Sequence, residues 1–176
     1  KTKEDLLKIY NLPESKVKVV HLGFAQLNKY EEIKSGFITF PYILFVGSRK
    51  RYKNYFNLLK AYSLSCKLKK DFKIVCFGGG EFSLEEKKIV SDLNIDQKQI
   101  YQINGDDKIL NYLYRNAELF VFPSLYEGFG LPTLEAMGNQ CPVLLSSISV
   151  FKEISNNSAA YFDPYSPESI KNTIEE

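Results

Sequence analysis

The chain has 176 residues, of which 44% are hydrophobic, so it is long enough to bury one substantial core. Its formal net charge of +2 gives no extended basic surface, which argues against nucleic acid as a partner. The three cysteines, Cys66, Cys76 and Cys141, are widely spaced and odd in number, which argues against a disulfide or zinc framework and favours a reducing, cytoplasmic compartment. Cys76 and Cys141 lie in apolar runs and are predicted to be buried thiols.

The first forty residues give a mixed pattern. A helix is predicted from residue 2 to about residue 11, because acidic residues precede two leucines and Pro13 follows. Residues 16–20 predict a short strand, and residues 25–40 predict a loop. The chain begins with Lys1 and ends inside a helical pattern, so we expect it to be a piece of a longer protein.

From residue 42 onward, predicted strands and helices alternate. The strands cover residues 42–46, 72–77, 99–103, 119–122, 142–145 and 159–162, and the helices cover residues 54–68, 81–93, 108–117, 132–138, 150–155 and 167 onward. Continuous apolar runs are typical of parallel strands that are buried on both faces. The sequence therefore predicts an α/β fold with a doubly wound parallel sheet and helices on both faces. Such sheets bind ligands at the carboxyl ends of their strands.

The loop after the first of these strands is basic. Residues 47–54 read GSRKRYKN and place four cations in five positions before a predicted helix. A lysine offers a compact charge and an arginine a planar fork, so both suit a diphosphate. Lys53 and Arg49 are therefore predicted to neutralise phosphate, beside Gly47 and Ser48. A solvated basic loop is the alternative interpretation.

Two further loops fall on the same predicted edge of the sheet. Residues 78–81 read GGGE, but position 83 is serine, so the dinucleotide fingerprint Gly-x-Gly-x-x-Gly fails. This argues against a nicotinamide-dependent oxidoreductase, and a tight strand-to-helix turn is an equal alternative to a ligand-binding loop. Asp106 and Asp107, after the next strand, are predicted to cap the helix that begins at residue 108.

The segment that carries most of the functional prediction runs from residue 119 to residue 138. An apolar strand leads into a Gly-x-Gly turn, and Pro132 suits a first helical position. Free backbone N–H groups and the helix dipole make such a helix N-terminus an anion site. The N–H groups of Gly130, Leu131 and Thr133 are candidate donors, and the Thr133 hydroxyl is a substitute for the N–H that Pro132 lacks.

Two glutamates, Glu127 and Glu135, lie eight positions apart around this turn. Carboxylates beside an anion site suit hydroxyl groups attached on either side of the anion, and a diphosphate with a sugar at each end is a nucleotide sugar. Glu135 can accept two hydrogen bonds from a ribose diol. Glu127 can accept hydrogen bonds from the transferred sugar and favour positive charge at its anomeric carbon. A surface turn with two solvated glutamates is the alternative.

Residues 120–144, FVFPSLYEGFGLPTLEAMGNQCPVL, resemble the Glu-x7-Glu signature of retaining glycosyltransferases of the GT-B fold, family 4. The resemblance covers residues 41–176 and implies a Rossmann-like, C-terminal, nucleotide-sugar (donor) binding domain, one half of a GT-B fold, truncated at its C-terminus. It implies that residues 1–40 are the end of the N-terminal domain and the interdomain linker. In this family the first glutamate contacts the donor sugar and the second binds the ribose, which implies these roles for Glu127 and Glu135.

The resemblance also implies roles in the other loops. Family members often carry an arginine directly after the loop glycine and a lysine about six positions after it. Lys53 matches that lysine, whereas Ser48 stands at the arginine position and Arg49 follows one residue later. The GGGE loop lines the nucleotide pocket in the family, and an aliphatic side chain packs against the base. The predicted catalytic residues are Glu127, Lys53 and Arg49, and the predicted substrate-binding residues are Gly47, Ser48, Gly79, Gly80, Ile103, Gly128, Phe129, Gly130, Leu131, Thr133 and Glu135.

Together these observations predict the donor-binding domain of a metal-independent glycosyltransferase of the hexosyltransferase type. No cofactor is expected beyond the nucleotide-diphosphate sugar itself, because the chain has one histidine and no Asp-x-Asp pair. The expected partner is a glycan or lipid-linked acceptor, bound through a missing N-terminal domain during polysaccharide or glycan biosynthesis. We expect a cytoplasmic protein, with peripheral contact at the inner face of the membrane left open, and little turnover by this fragment alone. The alternative is a catalytically inactive, regulatory nucleotide-sugar-binding module.

Overall fold

The centre of the molecule is a parallel sheet built from short apolar strands. A computed structural model describes residues 1–21, 23 and 37–176. Within these residues the strands are β1 (Tyr42–Val46), β2 (Lys73–Phe77), β3 (Ile100–Ile103), β4 (Leu119–Phe122), β5 (Val143–Ser146) and β6 (Ala160–Phe162). All neighbouring pairs are parallel, and the spatial order is β3-β2-β1-β4-β5-β6.

Helices cover both faces of this sheet. Their bounds are α1 (Thr2–Tyr10), α2 (Tyr55–Ser63), α3 (Cys66–Asp71), α4 (Leu84–Asp92), α5 (Asp107–Asn116), α6 (Leu131–Gly138), α7 (Ser149–Ser155) and α8 (Pro167–Glu175). Ile43 and Phe45 of β1 pack with α2, α3, α4 and α8, whereas Tyr42, Leu44 and Val46 pack with α5, α6 and α7. This alternation along a fully buried strand confirms the predicted doubly wound, Rossmann-like sheet.

The side of the sheet to which the chain adds strands changes at β1: β2 lies on one side of it and β4 on the other. From β1 the sheet is extended on one side by β2 and β3 and on the other by β4, β5 and β6. Ile43 lies opposite Leu119, and Leu44 lies opposite Phe120. At such a switch point the loops that leave the two strands diverge, and a crevice opens at their carboxyl ends. The loops after β1 and β4 are the two that carry Lys53 and Glu127.

Two sequence predictions of secondary structure are wrong. Residues 16–20 do not form a strand; a 3-10 turn covers Glu14–Lys16, and Val19 and Val20 are exposed. A strand needs a hydrogen-bonded neighbour and a face to bury, and the described residues give this segment neither. The single helix predicted over residues 54–68 is divided into α2 and α3, because the Ser65 hydroxyl accepts a hydrogen bond from the Leu68 N–H and starts a new helix.

Other local predictions agree with the structure. Asp106 caps α5, since its carboxylate accepts hydrogen bonds from two N–H groups of the first turn at 3.1 Å, whereas Asp107 is the first residue of the helix and not a cap. Cys76 and Cys141 are buried free thiols, and burial raises the pKa of each to about 12. The loop predicted over residues 25–40 lies outside the described residues up to residue 36, and residues 37–40 are neither helix nor strand. None of the helices described is both long and apolar enough to cross a membrane.

Candidate functional site

The loops after β1 and β4 are tied together by backbone and side-chain hydrogen bonds. The Leu125 N–H donates to the carbonyl of Tyr52 at 2.7 Å, and the buried Asn54 amide donates to the carbonyl of Pro123 at 2.9 Å. Asn54 adopts a left-handed backbone conformation with φ of 57°, which asparagine tolerates better than most residues. These bonds fix the geometry of the crevice at the switch point.

Lys53 and Glu127 meet in this crevice. Lys53 Nζ lies 2.6 Å from Glu127 Oε1, and the two side chains are 14% and 11% exposed. The Lys53 ammonium also lies 4.7 Å from the centre of the Phe122 ring and 5.4 Å from that of Tyr52. The arrangement provides a compact cation for an anionic group and, directly beside it, a carboxylate that can accept hydrogen bonds from hydroxyls.

The glycine turn leads directly into α6. Gly130 has φ of 88°, and a Cβ there would lie 2.7 Å from the Phe151 ring, so the turn requires glycine. The N–H groups of Gly130 and Leu131 have no hydrogen-bond partner among the residues described, and they remain candidate anion donors. The Thr133 N–H donates to the Gly130 carbonyl at 2.9 Å and is therefore already occupied. The Thr133 hydroxyl is buried and has no partner within the described part of the chain.

Glu135 lies on α6 beyond this turn and is held by a tyrosine of α5. The Tyr114 hydroxyl donates to Glu135 Oε2 at 3.1 Å, and Tyr114 itself is fully buried. Burial raises the pKa of Glu135 above its ordinary value; the hydrogen bond from Tyr114 opposes this rise and Asp107 adds to it. No sequence pattern points to a functional role for Tyr114, because it occupies an ordinary core position of an amphipathic helix.

Arg49 is directed away from Lys53 and into the loop after β2. Its Nε donates to Glu86 Oε1 at 2.6 Å, and its terminal nitrogens donate to the carbonyls of Gly78 at 3.0 Å and Gly80 at 2.8 Å. The Arg49 side chain is 3% exposed. Glu86, which the sequence did not single out, also accepts a hydrogen bond from the Ser83 N–H at the start of α4.

The remaining predicted residues divide between two parts of the carboxyl edge. Ile103 ends β3, and its carbonyl accepts a hydrogen bond from the Gly78 N–H at 3.1 Å. Gly47, Ser48, Gly79, Gly80 and Ile103 therefore lie with Arg49 around the ends of β1, β2 and β3. Gly128, Phe129, Gly130, Leu131, Thr133 and Glu135 lie on the β4 side. Lys53, in the loop after β1, contacts Glu127 on the β4 side, and the ligand roles of all these residues stay predictions.

The first turn of α1 contacts the glycine turn and the residues just before it. The Thr2 hydroxyl donates to the Gly128 carbonyl at 3.4 Å, and the Tyr126 hydroxyl donates to Asp5 at 2.9 Å. A cavity of about 290 Å³ separates residues 1–6 and 17–21 from Phe129 and α7. Within residues 1–21, 23 and 37–176, no group of three or more His, Cys, Asp or Glu side chains is arranged to hold a metal ion.

A Rossmann-like sheet with a cation, a carboxylate and a helix N-terminus at its switch point is typical of proteins that bind phosphorylated nucleotide ligands. The family model described as Glycosyl transferases group 1 matches residues 28–176. The chain therefore belongs to the group 1 glycosyltransferase family.

Named relatives extend this comparison. The chain is 30% identical over 175 residues to the O-antigen chain mannosyltransferase RfbU of Salmonella typhimurium. The matched region covers 98% of this chain and 47% of RfbU. It is 30% identical over 138 residues to the serotype-specific mannosyltransferase WbdA of Escherichia coli, covering 77% of this chain and 17% of that one. The chain thus spans half or less of the length of these curated relatives.

Solved structures show the same fold. The crystal structure of a glycosyltransferase from Rickettsia africae superposes with a TM-score of 0.77 at 24% identity, over 99% of this chain and 50% of that one. The C-terminal domain of LpcC, a glycosyl transferase group 1 family protein from Francisella tularensis, gives a TM-score of 0.62 at 26% identity, over 77% and 75% of the two chains. The Rossmann-like sheet is therefore shared with glycosyltransferases of the GT-B type.

Proposed function

We propose that residues 41–176 form the C-terminal, donor-binding domain of a retaining glycosyltransferase of family 4, preceded by the end of an N-terminal domain and a linker in residues 1–40. The solved C-terminal domain of LpcC supports this assignment, because it resembles most of this chain. The chain also covers about half of RfbU, as one half of a two-domain enzyme would.

The observation that carries the proposal is the Lys53–Glu127 pair, 2.6 Å apart at the switch point, with Glu135 on the helix that follows the glycine turn. Lys53 neutralises the donor diphosphate together with the free N–H groups of the turn. Glu135 accepts hydrogen bonds from the ribose diol. Glu127 accepts hydrogen bonds from the transferred sugar and stabilises positive charge at its anomeric carbon.

In the proposed reaction the bond between the anomeric carbon and the diphosphate oxygen breaks, and its electron pair leaves with the diphosphate. The acceptor hydroxyl oxygen bonds to the same carbon on the face that the diphosphate leaves, so the anomeric configuration is retained, and the hydroxyl proton passes to the leaving diphosphate. No metal or other cofactor takes part in this scheme. The mannosyltransferase names of RfbU and WbdA make mannose the first sugar to test and polysaccharide biosynthesis the first pathway. The acceptor is a glycan or a lipid-linked glycan held by the missing domain, on the cytoplasmic side of the membrane.

The direct test is calorimetric titration of this chain with UDP, GDP and ADP and with their common sugar conjugates. We expect selective binding of one nucleotide, together with its sugar conjugate. In Glu135→Ala the affinity should fall by at least about tenfold, because the ribose loses a charge-assisted pair of hydrogen bonds. Glu118→Ala is the matched control, since Glu118 is exposed and lies directly before β4, at the opposite edge of the sheet.

Two results would contradict the proposal in different ways. Equal binding by the unsubstituted chain and by Glu135→Ala would show that the nucleotide does not use this site. Nucleotide binding without sugar transfer by the longer protein would favour a catalytically inactive regulatory module instead.

A further inference from the structure

We propose that Arg49 is a positioning residue that fixes the turn of residues 78–81, and that Lys53 is the cation of the same loop that faces the donor phosphates. This inference rests on the proposed function, because it concerns how the donor site is shaped. It separates two cations that lie four positions apart and that composition alone would treat as equivalent.

The guanidinium of Arg49 is enclosed by oxygen atoms of the neighbouring loop. Nη1 donates to the Gly78 carbonyl at 3.0 Å, and Nη2 donates to the carbonyls of Gly80 at 2.8 Å and Glu81 at 3.1 Å. Nε donates to the Glu86 carboxylate at 2.6 Å. With the side chain 3% exposed, a phosphate would have to displace these partners before it could bind Arg49.

The backbone of the turn is shaped for this enclosure. Gly78, Gly79 and Gly80 have φ of 80°, 75° and 74°, a left-handed run that residues with a Cβ rarely adopt. A Cβ on Gly79 would lie 2.9 Å from Arg49 Nη1, so the arginine packs directly on the turn. Three glycines are needed because the chain must aim successive carbonyls at one cation.

The same geometry leaves the N–H groups of Gly79 and Gly80 for a ligand. Both residues are exposed, and neither N–H has a hydrogen-bond partner among the residues described. These groups lie at the carboxyl edge of the sheet, where the nucleotide of the proposed donor would lie. Arg49 therefore acts through the backbone that it holds and not through contact with the ligand.

Glu86 supports both Arg49 and the start of α4. Its carboxylate bonds both Arg49 and the Ser83 N–H, and the Ser83 hydroxyl accepts from the Glu86 N–H, which makes a capping box at the start of α4. The Arg49 guanidinium also stacks 4.5 Å from the centre of the Phe82 ring. One arginine thus links the loop after β1, the turn after β2 and the first turn of α4.

The first measurement needs no ligand. Backbone ¹⁵N relaxation would give order parameters for residues 79–81 in the unsubstituted chain, Arg49→Lys, Glu86→Gln and the control Glu85→Gln. A lysine keeps the charge but lacks the fork, and glutamine at position 86 keeps the capping box but loses the charge. We expect order parameters near about 0.85 in the unsubstituted chain and the control, and below about 0.6 in Arg49→Lys and Glu86→Gln. Unchanged order in Arg49→Lys would overturn the proposal.

The second measurement separates positioning from phosphate contact. Competition binding would compare UDP, GDP and ADP with UMP, GMP and AMP. We expect Arg49→Lys and Glu86→Gln to weaken the best nucleoside diphosphate and its monophosphate by the same factor, about tenfold. Lys53→Met should weaken the diphosphate more than the monophosphate.

The outcomes separate this inference from the function on which it rests. A selective loss of diphosphate affinity in Arg49→Lys, matching that in Lys53→Met, would make Arg49 a phosphate ligand and overturn the positioning role alone. If the unsubstituted chain binds none of the six nucleotides, the proposed function fails, and the ¹⁵N order parameters alone then decide whether Arg49 positions the turn.

Discussion

Two ion pairs arise from one eight-residue loop, and they have the same length but different surroundings. Lys53 lies 2.6 Å from Glu127, and Arg49 lies 2.6 Å from Glu86. The first pair joins the loops after β1 and β4 across the crevice at the switch point. The second joins the loop after β1 to the start of α4 on the other side of β1.

What differs is how the cation uses its remaining donors. The Lys53 ammonium lies against aromatic rings, and among the described residues it donates to Glu127 alone, so an incoming anion would displace a single partner. The Arg49 guanidinium is bonded to the four carbonyls of residues 78–81 as well as to Glu86. Burial raises the pKa of Glu86, but the hydrogen bonds from Arg49 and Ser83 outweigh it and hold that pKa below its ordinary value. The comparison indicates that Lys53–Glu127 is a replaceable pair that serves ligand binding. Arg49–Glu86 is a permanent pair that serves structure.

The largest effect is expected from breaking the permanent pair. Arg49→Met should lower the free energy of unfolding by about 3–5 kcal/mol, because it leaves a partly buried carboxylate and several carbonyls without their donor. Lys53→Met should lower it by less, about 1–3 kcal/mol, because it leaves the Glu127 carboxylate without its partner but no backbone carbonyl. Urea denaturation of the two variants measures the difference. Equal losses would remove the distinction between the pairs.

Breaking the replaceable pair should instead act on chemistry. In the two-domain enzyme proposed above, Glu127→Gln should reduce kcat by about 10²–10³, the usual effect of removing one group that stabilises charge in the transition state. The free energy of unfolding should change much less than in Arg49→Met. Steady-state transfer assays measure kcat, with Glu118→Gln as the exposed control. Full activity in Glu127→Gln would show that the pair has no role in transfer.

The parallel sheet could be predicted from the sequence, whereas the structure of residues 16–20 could not. Strand β1 was predicted at its observed bounds because a strand buried on both faces is a continuous apolar run. Residues 16–20, KVKVV, instead alternate lysine and valine as a half-buried strand does, but the structure gives them no neighbouring strand. Local sequence reports what a segment favours and not whether a partner strand is available.

The sequence could place the site at the carboxyl edge of the sheet, but it could not predict all of the contacts between the side chains there. Parallel topology brings the loops that carry Lys53 and Glu127 to one end of the sheet, so their proximity followed from the fold. Arg49 was grouped with Lys53 because both are cations in one loop, and only the fold shows that Arg49 turns toward Glu86. Tyr114 carries no signal in sequence, because its hydroxyl finds Glu135 through helix packing between α5 and α6.

A matched pair of glycine substitutions sharpens the account of the permanent pair. Gly80→Ala meets no atom within 4 Å and suffers only from its φ of 74°, so it should lose about 1–2 kcal/mol of unfolding free energy. Gly79→Ala has a similar φ, but its Cβ would lie 2.9 Å from Arg49 Nη1 and 3.1 Å from the Gly47 carbonyl. It should lose about 1 kcal/mol more. Urea denaturation of both variants tests this, and an equal loss would show that Arg49 yields without cost.

The smallest effect concerns Glu135, a third carboxylate whose partner is neutral. Burial raises its pKa above the ordinary value of 4.5, and the hydrogen bond from Tyr114 limits that rise. Because the folded value lies above the unfolded one, protonation of Glu135 favours the folded state, and this contribution is lost as the pH rises through the folded pKa. Nucleotide binding should have the opposite dependence, since the ribose contact proposed for Glu135 needs the charged carboxylate. Affinity should therefore fall during acidification at a pH above 4.5.

Tyr114→Phe should move that fall to higher pH, because it removes the hydrogen bond that favours the charged carboxylate. At neutral pH it should weaken nucleotide binding by only about two- to fivefold, the usual value of one hydrogen bond. Tyr112→Phe is the matched control, since it makes the same change on the same helix away from Glu135. Calorimetric titrations across this pH range measure the midpoint. An identical midpoint in Tyr114→Phe and the unsubstituted chain would mean that Glu135 is charged in the binding site without help from Tyr114. The hydrogen bond from a neutral partner would then not distinguish the titration of Glu135 from that of the two ion-paired carboxylates.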